Sequence, residues 1–381
     1  MNIAFLTPEY PHKLTGKSGG IGTSIKNLAN GLIAEGCEVL IIVFRQTKDA
    51  VFYDEGIEIH QIKNVKLKGL SWWLTRKKIE QKINDLHKNN KIDIVEAPDW
   101  TGITSYIQPK KCPVVIRLHG SDTYFCHIDG RKVKWQNKFH EKRALKKATG
   151  FISVSRFTAD VTNAIFNLKK DFTIIPNGID VNLFNANKQL SLHKDTILYY
   201  GTLIRKKGLL ELPFIFNELM QLNPKSTLVL VGKDAKDIVT GSKSTWELMK
   251  PLFHTDVLKQ VNYLGEVPYN EIKKYIEMAN VCVFPTFAEA LPVSWIEAMA
   301  LQKAIVASNI GWATEVIDDG ENGFIVHPTN HKEFALKINI LLNDESLCKE
   351  FGKQARLKVE QQFSQKVVAT QSIEFYKRYI K

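Results

Sequence analysis

A chain of 381 residues is longer than one hydrophobic core usually supports, so we expect two domains of roughly 180 residues each. With 44% hydrophobic and 24% charged residues and no low-complexity tract, the composition is typical of a globular protein. Five widely spaced cysteines without a CxxC pair argue against a disulfide framework or a zinc site and favour reduced thiols in a cytosol.

The chain is basic, and its charge is unevenly divided. The formal net charge is +12, of which residues 1–180 carry +10 and residues 181–381 carry +2. The excess lies mainly in residues 63–91 and 131–147. Such segments suit a nucleic acid, an anionic membrane or a phosphate-bearing substrate, although a solvated, solubilising surface would also explain them.

Neither a membrane-spanning segment nor a signal peptide is predicted. No apolar stretch approaches the ~20 residues that a membrane-spanning helix needs. The N-terminal sequence lacks a basic n-region, and its apolar run is too short for a signal peptide. We therefore expect a cytoplasmic protein, at most peripheral on the inner face of a membrane.

The N-terminal segment is predicted to form a strand–helix–strand unit with a glycine-rich loop. Its expected elements are a strand over residues 2–6, a loop over 7–22, a helix over 23–34 and a strand over 38–44. The loop ends in Gly19-Gly20-Ile21-Gly22, where glycines would let a phosphate approach N–H groups at the helix start. Ile25 takes the place of the last glycine of GxGxxG, so a nicotinamide site is not expected. Tight turns also use glycine for steric reasons alone.

Polar residues follow the next two predicted strands, 92–95 and 114–118. The first ends in EAPDW and the second in HGSD, which places His119 just past a strand end. Catalytic side chains collect at this level of α/β sheets, although a lone histidine is often structural. Strands over 151–154 and 172–175 continue the sheet, and the turn sequence PNGID follows.

A pair of tryptophans lies within the first basic segment. Trp72 and Trp73 are surrounded by the cations Lys66, Lys68, Arg76, Lys77 and Lys78. Aromatic and basic side chains together suit a membrane interface with anionic lipid. One or both tryptophans could instead belong to the core.

The second half of the chain repeats the alternation of strand and helix. Residues 181–195 are polar and irregular, which makes them the best candidate linker. Strands are expected over 197–200, 228–231, 261–264, 281–284, 304–307 and 323–326, and the tail, 363–379, is predicted to be an amphipathic helix. The expected architecture is α/β, with two doubly wound domains facing each other across a cleft.

The segment 282–311 organises this second sheet. It predicts a strand, a loop with Glu289 and Pro292, a helix over 293–301 with Glu297, and another strand. A phosphate at residues 290–294 would meet the helix N-terminus, with the two carboxylates on either side. Glu289 could instead be a solvated loop residue and Glu297 a surface residue, although the apolar neighbours of Glu297 argue against the latter.

Two further loops could serve a nucleotide. GTLIRKKG places Arg205, Lys206 and Lys207 at the end of the strand over 197–200, where they could neutralise a diphosphate or form a solvated turn. A flat base could lie against YLGEV, residues 263–267. The sequence holds no Asp-x-Asp pair suited to a magnesium–nucleotide complex, so lysine, arginine and helix N-termini would have to replace the metal.

This ordered series of motifs resembles the retaining GT-B glycosyltransferases of family four, which include lipopolysaccharide, exopolysaccharide and phosphatidylinositol mannosyltransferases. The resemblance runs almost end to end, through PEYP…GGIG, HGSD, SVS, PNGID, GTLIRKKG, YLGEV and FAEALPVSWIEAMA. The family's E-x7-E motif corresponds to Glu289 and Glu297. Many members have an arginine after the glycine of GTLIRKKG, where this chain has Thr202, and Arg205 could supply that charge.

The resemblance implies roles for individual residues. Glu289 would orient the donor sugar, Glu297 would bind the ribose hydroxyls, Lys207 and Arg205 would neutralise the diphosphate, and His119 would lie at the sugar and acceptor side. The remaining implied donor-binding residues are Gly19, Gly20, Val267, Ala290, Leu291, Pro292, Val293 and Ser294. The implied acceptor-side residues are Tyr10, Asp99, Trp100 and Asp122.

The implied function is metal-independent, retaining transfer of a sugar from a nucleotide-diphosphate donor. A UDP-sugar such as UDP-glucose is the favoured donor, and a GDP-sugar is the second choice. The expected acceptor is a glycan or lipid-linked molecule of cell-surface polysaccharide synthesis. The implied domains are 1–185, joined by the helix 365–381, and 190–364. Alternatives are another GT-B enzyme such as a phosphorylase or epimerase, or a non-catalytic nucleotide-sugar-binding partner subunit. Nucleic-acid binding rests on charge alone, without a recognition module.

Overall fold

The structure, a computed structural model, describes residues 1–16, 18–186 and 194–380. The chain divides into two compact units, one formed by residues 1–180 with 362–381 and the other by 181–361. The predicted linker 181–195 lies partly in the second unit and partly outside the described residues.

The first unit is built on an eight-stranded sheet with the order β3-β4-β2-β1-β5-β6-β7-β8. Its strands are β1 (Asn2–Thr7), β2 (Glu38–Gln46), β3 (Ala50–Asp54), β4 (Ile57–Lys63), β5 (Ile94–Pro98), β6 (Val114–Leu118), β7 (Gly150–Ser153) and β8 (Thr173–Ile174). The strands pair in parallel, except that β3 runs antiparallel to β4. Strands β3 and β4 were not predicted from the sequence. Because β3 is a half-exposed edge strand, it lacks the apolar run that marks the buried strands.

Helices connect these parallel strands, as such connections require. They are α1 (Gly20–Ala34), α2 (Ser71–Lys88), α3 (Asp122–Ile128), α4 (Trp135–Lys147) and α5 (Arg156–Phe166), with a 3-10 segment over Trp100–Tyr106. Buried apolar residues cover both faces of the sheet, one cluster around β1, β2 and α1 and another around β5 and α2.

The second unit is a six-stranded parallel sheet with the order β11-β10-β9-β12-β13-β14. Its strands are β9 (Thr196–Tyr200), β10 (Thr227–Val231), β11 (Val261–Tyr263), β12 (Val281–Phe284), β13 (Ala304–Ser308) and β14 (Phe324–Val326). The described helices are α6 (Leu212–Leu222), α7 (Thr245–Met249), α8 (Thr255–Leu258), α9 (Tyr269–Met278), α10 (Val293–Ala300), α11 (Ala313–Val316), α12 (His331–Asn343) and α13 (Glu345–Lys358). This strand order is that of a doubly wound, Rossmann-like domain.

The last helix, α14 (Gln365–Lys377), returns to the first unit. Ser364 caps it by accepting a hydrogen bond from the N–H of Val367. Its Tyr376 hydroxyl donates to Glu96 at 2.6 Å, and Glu96 forms a buried ion pair with Arg117. The helix is therefore tied to strands β5 and β6 by a buried polar network as well as by apolar packing.

The basic segment around Trp72 and Trp73 forms the start of α2. The indole of Trp72 packs against Tyr106 and His140, with ring centroids 5.3 and 5.2 Å apart. Arg76 is buried and donates to the carbonyl of Ile103, so it is not the surface cation expected from the sequence. Two more of the expected cations are paired with carboxylates, Lys77 with Glu80 and Lys78 with Asp49.

No helix in the described part of the chain is both long enough and apolar enough to span a membrane.

Candidate active site

The second sheet has its topological switch point between β9 and β12, which are adjacent and parallel. The connections after these two strands leave the same edge of the sheet and turn to opposite faces. Ligands of doubly wound sheets bind at such a crevice. The loops in question are 201–208 after β9 and 285–292 after β12, which hold the predicted lysine and the first predicted glutamate.

Gly208 brings these two loops together. Its φ is +74°, and a Cβ atom at this position would lie 1.7 Å from the carbonyl oxygen of Pro285. Next to this contact, the N–H groups of Phe287 and Ala288 donate to the carbonyl of Lys206 at 2.8 and 3.2 Å. Glycine is therefore required here by its missing side chain as well as by its backbone conformation.

Because these two loops are in contact, Lys207 and Glu289 form an ion pair, with Nζ and Oε1 3.1 Å apart. Both side chains are mostly buried, with 22% and 17% of their surfaces exposed. Burial alone would raise the pKa of Glu289, but the charges of Lys207 and Lys206 outweigh it and hold the pKa below its usual value. The same pairing raises the pKa of Lys207 despite its burial. The site therefore holds a fixed cation and a fixed carboxylate near neutral pH.

Glu297 lies inside α10 and is only 4% exposed. Its Oε1 accepts a hydrogen bond from the hydroxyl of Tyr269, at 2.6 Å. Burial raises the pKa of Glu297 to about 7, although the hydroxyls of Tyr269 and Tyr200 and the charge of Lys207 act in the opposite direction. The carboxyl group is thus buried beside Lys207, and it titrates near neutral pH.

The N-terminus of α10 faces the same loop. Pro292 is its N-cap, and within the described residues no side chain caps the helix and no acidic residue lies in its first turn. The N–H groups of a helix start carry a partial positive charge. The hydroxyl of Tyr200 donates to the carbonyl of Ser294 and so ties the helix start to the end of β9. Ala290, Leu291 and Pro292 are buried beside it.

Arg205 is held by a partner that sequence reasoning missed. Its guanidinium donates to both carboxylate oxygens of Asp237, at 2.8 and 2.9 Å. Asp237 also accepts hydrogen bonds from the N–H and the hydroxyl of Thr240. The hydrogen bond from Arg205 contributes most to lowering the pKa of Asp237, and the bonds from Thr240 lower it further. Thr202, which stands where many relatives of the resembled family have arginine, is exposed. The charge of Arg205 is therefore already balanced by Asp237. A role for Arg205 at a diphosphate stays a prediction.

Val267, the predicted contact of the base, lies half-buried in the loop between β11 and α9. Two residues later, Tyr269 is the first residue of α9. This short connection links the loop assigned to the base with the carboxylate assigned to the ribose.

In the first unit, the glycine-rich loop already holds a carboxylate. Oε1 of Glu9 accepts hydrogen bonds from the N–H groups of Gly19 and Gly22, at 2.9 and 3.1 Å. Helix α1 begins at Gly20, three residues before the predicted start. Any external anion at the N–H groups of Gly19 and Gly22 would have to displace Glu9.

His119 follows β6, as predicted, and its backbone N–H donates to Oδ1 of Asp99 at 2.9 Å. Burial and then the charge of Arg117 lower the pKa of His119 to about 3, so the imidazole is neutral at pH 7. Asp99 is 2% exposed, and burial raises its pKa to about 7. The imidazole of His119 can therefore take part in a hydrogen bond without carrying charge, whereas the carboxyl group of Asp99 titrates near neutral pH.

The other predicted acceptor-side residues differ in exposure. Trp100 and Asp122 are half-buried, and the N–H of Asp122 donates to the buried Glu141 at 3.1 Å. Tyr10 is fully buried, and its hydroxyl donates to Asp54 at 3.0 Å. An acceptor role for Tyr10 stays a prediction, and its burial weighs against it.

Comparison with known proteins agrees with this architecture. The structure superposes on that of Anabaena Alr3699/HepE in complex with UDP-glucose with a TM-score of 0.75, covering 99% of both chains at 19% identity. A family model of group 1 glycosyl transferases matches residues 182–358, and a model of glycosyltransferase family 4 matches residues 18–183. The chain belongs to the group 1 glycosyltransferases with the GT-B fold.

Two curated relatives of this glycosyltransferase extend the comparison. It is 25% identical over 403 residues to the glycosyltransferase MJ1607 of Methanocaldococcus jannaschii, covering 99% of this chain and 98% of that one. It is 29% identical over 257 residues to CapM of Staphylococcus aureus, a capsular polysaccharide biosynthesis glycosyltransferase, covering 63% of this chain and 64% of CapM. The predictions of a glycosyltransferase and of two Rossmann-like domains are confirmed.

Three residues that contact predicted site residues were missed by sequence reasoning, namely Glu9 in the first unit and Asp237 and Tyr269 in the second. Tyr269 could have been found, because it lies two residues after the segment predicted to hold the base. Asp237 is an acid in a loop of ordinary composition, and the sequence offers no signal for it. Glu9 belongs to the PEYP motif, but the motif does not indicate that its carboxylate would bind the glycine-rich loop. Among the residues that the structure describes, no group of three His, Cys, Asp or Glu side chains could hold a metal ion.

Proposed function

We propose that this glycosyltransferase moves a sugar from a nucleotide-diphosphate donor to a glycan or lipid-linked acceptor, with retention of the anomeric configuration. The favoured donor is a UDP-sugar such as UDP-glucose. The ion pair of Lys207 and Glu289, beside the N-terminus of α10 and Glu297, is the observation that carries the proposal. It supplies a cation for the leaving diphosphate and a carboxylate for the sugar hydroxyls. Cell-surface polysaccharide synthesis is the proposed context, supported by the similarity to CapM.

The charges of the site favour departure of the nucleotide. As the bond between the anomeric carbon and the phosphate oxygen breaks, its electron pair passes to that oxygen. Lys207 and the N–H groups at the start of α10 stabilise this growing charge, which lowers the barrier rather than only tightening binding. The acceptor hydroxyl attacks from the same face, and its proton goes to the leaving oxygen. Glu289 orients the sugar, and no metal is needed because fixed cations and N–H groups serve the diphosphate.

Slow hydrolysis of a panel of UDP-, GDP- and ADP-sugars, in EDTA, tests this proposal. We expect release of one nucleotide in preference to the others, and loss of that release in Glu289→Ala. Phosphate-dependent release of sugar-1-phosphate would indicate a phosphorylase, and epimerised donor without acceptor would indicate an epimerase. Binding of the nucleotide-sugar without any hydrolysis would favour the non-catalytic nucleotide-sugar-binding partner subunit.

We also propose that the first unit associates with an anionic membrane. One face of α4 carries the exposed side chains of Trp135 and Phe139, which are 74% and 47% exposed. Lys138 and Lys142 lie on the same face, since residues three, four and seven positions apart share one side of a helix. Neither lysine pairs with a carboxylate among the residues that the structure describes. This face combines rings suited to headgroup depth with unneutralised cations.

The aromatic surface continues from α4 to the start of α2. Phe139 contacts His140, with ring centroids 5.3 Å apart, and His140 contacts Trp72. Trp72 and Trp73 are themselves 42% and 37% exposed. A lipid-linked acceptor would be presented at such a surface, and an anionic bilayer uses both the rings and the charges.

Replacing Lys138 and Lys142 with glutamine should weaken binding to vesicles of anionic phospholipid roughly thirtyfold, at about 1 kcal/mol for each lost cation. Sedimentation with vesicles at physiological ionic strength measures it. The matched control replaces the exposed Lys225 and Lys353 of the second unit with glutamine, which removes the same charge elsewhere. Equal binding by the first variant and wild type would contradict the proposal, and tighter binding to RNA than to vesicles would favour a nucleic-acid partner.

A further inference from the structure

We propose that Tyr269 is a positioning residue that orients the carboxylate of Glu297 toward the ribose diol of the donor. The inference rests on the proposed function, in which Glu297 receives the ribose hydroxyls. Tyr269 lies in α9 and not in α10, so it is outside the E-x7-E motif.

The geometry of Tyr269 fits this role. Its hydroxyl lies 2.6 Å from Oε1 of Glu297, a short bond of the kind made to a charged acceptor. Its ring packs against Phe184, a residue only 3% exposed, with ring centroids 6.2 Å apart. The tyrosine is thus supported at the ring and tethered at the hydroxyl. A buried carboxylate with such a tether keeps one rotamer, which pre-organises it for a ligand.

Tyr269 also occupies a place from which it can meet the nucleoside. It is 48% exposed although its hydroxyl contacts a buried group, so part of its ring faces solvent. It follows Val267 by two residues and begins α9. One residue therefore connects the loop proposed for the base with the carboxylate proposed for the ribose.

The hydrogen bond also acts on the protonation of Glu297. An ionised carboxylate only accepts hydrogen bonds, so it can receive both hydroxyls of a ribose diol, whereas a protonated carboxyl must donate one. Burial raises the pKa of Glu297 to about 7, while Tyr269 from α9, Tyr200 from β9 and Lys207 from the following turn lower it. Glu289 lies beyond Lys207 as its ion-pair partner. Tyr269 therefore favours the ionised form, which is the form that binds ribose.

Tyr269→Phe should have two effects on donor binding. Loss of the bond to Oε1 should weaken donor affinity roughly tenfold or more above the pKa of Glu297, since hydrogen bonds to charged groups are the strong ones. Without the tyrosine hydroxyl, the pKa of Glu297 rises further, so the pH at which affinity is half lost should move upward. In turnover, KM should rise while kcat changes little, because the ribose contact is the same in the ground and transition states.

Calorimetric titration with UDP-glucose between pH 6 and 8.5 tests the inference, with GDP-glucose as the second probe. Both are diphosphate diesters without a proton that titrates near pH 7, so a pH dependence of affinity reports on the protein. Glu297→Gln should bind weakly at every pH and lose the titration. Tyr275→Phe, which removes a hydroxyl from the same helix α9, is the matched control and should behave as wild type.

The outcomes separate this inference from the proposed function. A wild-type protein that binds the donor, with affinity that falls as the pH drops through about 7, and a Tyr269→Phe midpoint shifted to higher pH would support it. An unchanged affinity and an unchanged midpoint in folded Tyr269→Phe would overturn it while leaving the proposed function intact. If wild type binds neither donor at any pH, the proposed function fails, and the inference fails with it. Phenylalanine keeps the ring contact with Phe184, so a structural role alone would leave the pH midpoint where it is.

Discussion

Glu289→Ala and Lys207→Ala should each lower turnover at least ~100-fold, which is comparable to removing one donor of an oxyanion hole. Loss of Lys207 removes the fixed cation that stabilises the departing diphosphate. It also leaves Glu289 buried without its main counter-charge, so burial would then raise the pKa of that carboxyl. Loss of Glu289 removes the group that orients the sugar and frees Lys207 from its ion pair. Transfer from the donor that the hydrolysis panel selects measures both effects.

The two substitutions should be far from additive. Because the lysine and the glutamate act as one ion pair, the double variant should lose little more activity than the worse single variant. The matched control is Lys250→Ala, which removes the lysine of an ion pair with Glu247 in the same unit but outside the site. That variant should keep wild-type turnover. Near-normal activity in either single variant would defeat the assignment of the site.

The fold could be predicted where strands are buried on both sides. The sequence VCVF forms β12 within the predicted limits, because parallel strands covered by helices read as continuous apolar runs. The hairpin of β3 and β4 could not be found in this way. Its edge strand alternates half-buried and exposed residues, and its turn at Glu55 and Gly56 lacks the Asn-Gly or Asp-Gly pair that signals a hairpin.

The candidate site could be predicted only as far as local motifs reach. Glu289 and Glu297 belong to one contiguous segment, so their spacing places them at the same helix. The partners of the charged residues in the candidate site come from elsewhere in the chain: Tyr269 lies 28 residues from Glu297, and Asp237 lies 32 residues from Arg205. Such contacts depend on which loops meet at the edge of the sheet. Charge states such as the raised pKa of Glu297 follow from burial, which single-sequence patterns report poorly.

Gly208→Ala should lower turnover by roughly 100-fold, although this residue carries no functional group. An added methyl group would lie 1.7 Å from the carbonyl oxygen of Pro285, so the two loops would have to move apart. Lys207 precedes this glycine, and its ion pair with Glu289 depends on the contact. A displacement of about 1 Å in a catalytic group can cost 100-fold in rate. The same transfer assay measures the loss, and the circular dichroism spectrum shows whether the unit remains folded.

A second glycine separates steric contact from backbone strain. Gly320 has a φ of +79°, close to the +74° of Gly208, yet a Cβ atom there would meet nothing within 4 Å. Gly320→Ala should therefore impose a similar conformational cost on the same unit while leaving turnover unchanged. If both variants lost activity equally, strain of the left-handed backbone would explain the loss, and the close approach to Pro285 would not. If only Gly208→Ala lost it, the placement of Lys207 against Glu289 would be the property that the glycine protects.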